Sequence, residues 1–275
     1  MRLGKNMLET SNPALKNQKI WNEGIAEGGI GTATISGVVN KTGMLTSVAV
    51  AGGMFGIWLV QQPAMANLAW PLGIGGFIGS LIVYFMIIRN PARAQYTAWI
   101  YAAIQGAFLG VITHALDNSL ASMGYSAMGG LALQAFVITI SVLVSMLALY
   151  YFRILKPTKK FTATIYVLTL GIFVTYMISF VMSLFGAQMP FITLGSAVEG
   201  GQTALIGLGI NLLILGIASL WLIIDFGMIE KQVKSGAPKK MEWFCGFILM
   251  VTLVWIYLEA VKLCFRLALL FGNRD

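Results

Sequence analysis

Seven stretches of this 275-residue chain stay apolar long enough to cross about 30 Å of hydrocarbon at about 1.5 Å per helical residue. Nothing else restricts the fold so tightly. Lipid offers backbone N–H and C=O groups no partner, so only helices or closed barrels, which pair them internally, can span it. The runs are continuous rather than alternating, which predicts helices and not a barrel. They cover Thr42–Val60, Leu68–Ile88, Thr97–Ala115, Gly129–Tyr151, Phe161–Leu184, Thr203–Ile229 and Trp243–Leu270. Between them stand breakers: Gln61-Gln62-Pro63, Asn90-Pro91, Asp117-Asn118, Lys156-Pro157, a Gly-rich run over 186–202, and Ser235-Gly236-Ala237-Pro238.

Charged residues make up 10% of the chain and hydrophobic residues 58%, against roughly 25% charged in soluble domains. An all-α polytopic membrane protein follows, with no soluble domain large enough to bury its own core. Met1 to Lys41 contains no continuous apolar run, so no signal peptide is expected, the first span directs insertion, and the mature chain is the full chain. Of the 18 Lys and Arg residues, all but Lys262, Arg266 and Arg274 fall in the N-terminal segment or after spans two, four and six. The positive-inside rule therefore places residues 1–41 in the cytoplasm as a separate segment, residues 42–275 in the membrane as one domain, and the C-terminus outside. Topology accounts for the net charge of +8, and no aromatic-interleaved basic surface suggests nucleic acid. The expected partner is the lipid bilayer, with a generic attraction to anionic headgroups.

Glycines recur four residues apart at Gly52 and Gly56, Gly75 and Gly79, and Gly106 and Gly110, a spacing that lets helix backbones approach closely. Cys245 and Cys264 lie nineteen residues, about 28 Å, apart along one helix and cannot pair with each other. Interior polar groups are few: Gln105, His114, Gln134, Asn211, Asp225, Glu259 and Lys262. The amides suit interhelical hydrogen bonds or the lining of a path. His114, the only histidine, has nothing nearby to complete a metal site, so no metal is expected. No Ser-His-Asp set, metal-ligand spacing or Gly-rich phosphate loop points to an enzyme or a cofactor. No paired broken helices point to secondary transport.

Asp225 and Glu259 are the acids inside the last two spans, and a charge at that depth costs roughly 3 kcal/mol or more unless it is enclosed, paired or neutralised. Glu259 and Lys262 share a helix face and can pair locally, with Arg266 one turn further on. Arg89, at the end of span two, has a depth compatible with Asp225.

Several segments resemble the Bax inhibitor (transmembrane Bax inhibitor motif, YccA-like) family, and a bacterial branch of it in particular. They are Ser11-Asn12-Pro13-Ala14-Leu15, Gly37-Val38-Val39-Asn40-Lys41-Thr42-Gly43, Met189-Pro190-Phe191-Ile192, Ile224-Asp225-Phe226 with Ile229-Glu230, 236–243 and 251–259. The resemblance implies a seven-helix bundle with the last helix central, in a bacterial inner (plasma) membrane. It also implies a pH-sensitive calcium leak controlled by acids on helices six and seven and latched by an arginine on helix two. Asp225 and Arg89 match two of these positions. Aligned from the chain's end, Tyr257-Leu258-Glu259 makes Glu259 the third; aligned without gaps from Asp225, the acid would fall near Leu249 or Met250. Gln105 stands where many relatives carry Glu.

With a hairpin turning near Gly236, Glu259 lies twelve residues deeper than Asp225, about 18 Å along the helices. Direct carboxylate contact therefore requires an asymmetric connection. Two carboxylates within reach share a proton and titrate as a unit, while an arginine competes for the ionised form. Two acids and some carbonyls supply too few oxygens to store calcium but enough to pass it. The other activity implied by the resemblance is a non-transporting regulator that binds a membrane protein such as a protease, with residues 1–41 and the basic loops as contact surfaces.

Overall fold

A computed structural model describes residues 31–65, 68–127, 129–187, 189 and 191–272. Seven long apolar helices are present among them: α1 Ile35–Gln61, α2 Ala69–Arg89, α3 Ala94–Ser122, α4 Gly130–Tyr151, α5 Lys159–Leu184, α6 Gly201–Lys234 and α7 Met241–Phe271. One 3-10 turn, Pro91–Arg93, precedes α3, and one short helix, Gly195–Glu199, precedes α6. The protein is an all-α polytopic membrane protein.

Two ends differ most from the sequence expectation, by seven residues each. Helix α1 begins seven residues before Thr42, because Thr34 caps it: its Oγ1 accepts from Gly37 N at 3.0 Å. Much of the predicted N-terminal segment, residues 1–30, lies outside the described residues. Helix α3 runs through Asp117-Asn118 to Ser122 instead of breaking there. Asn118 bonds His114 one turn back at 3.2 Å, and the Asp117 carboxylate accepts from Leu131 N at 2.9 Å, serving the first turn of α4.

The chain divides into two compact units, one comprising residues up to Val111 with Ile224–Val251, the other Ile112–Ile223 with the rest from Thr252. In the first, α1 and α3 approach backbone to backbone. A Cβ on Gly52 would lie 2.6 Å from Ala103 O, and Cβ atoms on Gly106 and Gly110 would collide with the backbones of Ala49 and Gly53. The Gly75 and Gly79 pair makes no such approach. Gly75 faces open space and Gly79 meets only the Ile104 side chain at 3.6 Å. Phe247 on α7 lies against Tyr101 of α3 at 4.9 Å and Tyr84 of α2 at 5.8 Å between ring centroids. A left-handed Gly236 closes α6, with Ala237 N bonding Gln232 O at 3.2 Å and Gly236 N bonding Val233 O at 3.1 Å. The following turn pairs with the strand-like residues before α1 through Ala33 N to Ala237 O at 2.7 Å.

In the second unit α3, α4 and α7 pack through Leu120, Leu131, Cys264 and Phe265, and through Ala135, Ala260 and Val261. Helices α5 and α6 are joined by Trp221, whose Nε1 donates to Thr169 Oγ1 at 2.7 Å while its ring meets Tyr166 edge-on. Helix α7 is the most enclosed span: 78% of its apolar window is buried, against 56% for α6 and at most 39% elsewhere. That enclosure is what Glu259, Lys262 and Arg266, all inside the span, require. Outward, α4 and α5 present large apolar residues such as Leu133, Val144, Val167 and Leu170, a surface suited to lipid.

Candidate functional site

Glu259, Lys262 and Arg266 stand at i, i+3 and i+7 on α7 and so share one face. Lys262 Nζ lies 2.6 Å from Glu259 Oε1, and the two side chains are 24% and 2% exposed. Two further helices complete the acid's surroundings. Tyr176 of α5 donates from Oη to Glu259 Oε1 at 3.1 Å and accepts from Lys262 Nζ at 2.8 Å. Asn211 of α6 donates from Nδ2 to Glu259 Oε2 at 2.9 Å and to the Glu259 backbone carbonyl at 3.2 Å. Both carboxylate oxygens are thus taken by donors, and Glu259 joins α5, α6 and α7.

Arg266, 2% exposed, is held differently. Its Nη1 donates to Ser196 Oγ at 3.0 Å, and its Nη2 to the carbonyls of Phe191, Ile192 and Thr193 at 3.3, 3.4 and 3.0 Å. Gly207 makes the room, since a Cβ there would run into Nη1. Arg266 Nε and Asn211 Oδ1 are buried without a hydrogen-bond partner, and both residues line a small cleft with Glu259, Lys262, Tyr176 and Gly207.

The structure thus brings Glu259, Lys262 and Asn211 together. Asp225 belongs to the first unit, where it is 3% exposed on α6 and engaged by a contact of its own. In that unit Arg89 is exposed at the end of α2, and Gln105 is buried on α3 beside the tightly packed Gly106. Among the described residues no group of three or more His, Cys, Asp or Glu side chains could hold a metal ion. Tyr176, Ser196 and the 191–193 carbonyls did not stand out in sequence. An aromatic in an apolar run and a backbone oxygen carry no mark of their role.

A family model described as Bax inhibitor 1 like matches residues 9–268. The chain belongs to the Bax inhibitor 1 like family. No curated protein and no solved structure matches it. In this Bax inhibitor 1 like chain the segment 37–43 forms the opening turns of α1, Ile224-Asp225-Phe226 lies in α6, and Tyr257-Leu258-Glu259 lies just past the middle of α7. Ser11 to Leu15 and Pro190, which also carry the resemblance, lie outside the described residues.

Proposed function

We propose that this protein is a pH-modulated cation leak of a bacterial inner (plasma) membrane, with the N-terminal segment cytoplasmic and the C-terminus outside. Calcium is the ion that the family resemblance implies. The observation that carries the reading is Glu259, a carboxylate 1% exposed near the middle of the most enclosed helix and bonded from three helices. Intramembrane acids of this kind mark ion and proton paths. The titratable groups facing it are Tyr176 and Lys262, with Arg266 one turn beyond. Whether Glu259 carries its charge decides whether Lys262 has a counter-ion and how firmly α5, α6 and α7 are tied together, which couples pH to opening. Asp225 acts as the second acid, with Arg89 as its latch; Asn211 lines the route beside Glu259, and Gln105 is a further candidate in the unit of Asp225.

The test is calcium flux into proteoliposomes at acid and neutral pH for wild type, Asp225→Asn and Glu259→Gln. Wild-type flux should differ between the two pH values, and both variants should lose that difference. Flux identical to wild type in Asp225→Asn would remove Asp225 from the mechanism. A wild type that passes no ion favours the regulator instead, whose signature is a co-purifying membrane protein lost on deleting Met1 to Lys41.

A further inference from the structure

Arg266 poses a question that the leak does not answer: the cluster holds one acid and two cations, and that acid is bonded to Lys262. Glu259 lies seven residues from Arg266, roughly 10 Å along α7. The hydrogen-bond acceptors of the guanidinium are all neutral, three consecutive backbone carbonyls and one hydroxyl. Three successive carbonyls do not face one point in regular secondary structure. Here they do so in a segment where Phe191 has φ +76°, a left-handed conformation that only glycine adopts freely. Gly207 leaves room beside the same guanidinium and Ser196 Oγ. Convergent carbonyl and hydroxyl oxygens are the ligands that alkali-metal ions exchange for their hydration shell, and the lack of a carboxylate among them suits a monovalent ion better than calcium.

We propose that the carbonyls of Phe191, Ile192 and Thr193 with Ser196 Oγ form a monovalent-cation site, filled in this chain by the tethered cation of Arg266. The side chain is a built-in blocker, and removing it opens the site to a free ion. Gly207 and the left-handed Phe191 then help to shape oxygens around a positive charge, with Ser196 Oγ also donating to Thr193 O at 2.8 Å.

Equilibrium binding of radioactive Rb+ to the full chain in detergent, with choline as the background cation, tests this. Arg266→Ala and Arg266→Gln should bind one Rb+ per chain at least tenfold more tightly than wild type. Arg266→Lys, which keeps a tethered charge, should bind no more than wild type. Each variant is purified in parallel in RbCl and in choline chloride. Neutral variants that fold only in RbCl support the site; neutral variants that fail to fold in either salt, or that fold and bind no more Rb+ than wild type, overturn it. Rb+ binding by Arg266→Lys equal to that of Arg266→Ala also overturns it. Binding in detergent does not depend on conduction, so the site and the leak fail separately.

Discussion

Replacing Glu259 by Gln keeps the side-chain volume and removes the charge that Lys262 faces at 2.6 Å. Breaking one partner of a buried pair costs about 3–5 kcal/mol, and because the Lys262 side chain is 24% exposed the loss here should sit lower, at about 2–3 kcal/mol. The new amide adds to it. One acceptor oxygen becomes an NH2 group that meets a donor, either Asn211 Nδ2 or the Tyr176 and Lys262 pair, at about 1 kcal/mol or more. Lys262→Met alone leaves the carboxylate with Tyr176 and Asn211, and the double variant has no stranded charge. The two singles together should therefore exceed the double by about 1–3 kcal/mol. Equilibrium unfolding of the four proteins in mixed micelles, followed by far-ultraviolet circular dichroism, measures this coupling. Additivity within about 0.5 kcal/mol, the usual result for independent sites, would show that the pair does not hold α7 in place.

Gly106→Ala should destabilise by about 1–3 kcal/mol through collision with the Ala49 backbone, whereas Gly75→Ala, facing open space, should be neutral in the same unfolding assay. Gly207→Ala should cost a similar amount, about 1–3 kcal/mol, in wild type and far less in an Arg266→Ala background, because the atom it meets first is Arg266 Nη1. Thr34→Val removes both the cap on Gly37 N and the Oγ1 donor to Glu242 Oε1 at 3.1 Å, so a loss of about 1–2 kcal/mol is expected in urea titration.

The spans were legible because each is set by an apolar run longer than its flanking breakers, a property of consecutive residues. Their ends were not. Helix α1 starts at Ile35 partly because Glu242, 208 residues away, accepts from both Thr34 N and Thr34 Oγ1. Helix α3 continues through Asp117, whose carboxylate is engaged by Leu131 N fourteen residues further on rather than by its own backbone. The Glu259 and Lys262 pair was legible from its i, i+3 spacing alone. Its ring of partners was not, since apolar periodicity on α5 and α6 says nothing about the register that brings Tyr176 and Asn211 to the same carboxylate. The glycine spacing misled at Gly75 and Gly79 because a four-residue repeat fixes a face without saying which helix, if any, lies against it.

Glu259, Lys262 and Arg266 form two hydrogen-bonded systems on one face of α7, and their independence can be tested. Lys262 is paired with an ion on its own helix and Arg266 is hydrogen-bonded by the 191–193 carbonyls and Ser196, so the two share no hydrogen-bond partner, although Glu259 and Tyr176 also lie close enough to act on Arg266 electrostatically. If the systems are independent, the Glu259→Gln/Lys262→Met protein keeps the guanidinium in its cage and binds Rb+ no better than wild type, although it has lost both charges of the ion pair. Rb+ binding in that double variant at the level of Arg266→Ala would mean that the ion pair positions Arg266. The face of α7 would then act as one unit, and protonating Glu259 would release the blocker as well as the lysine.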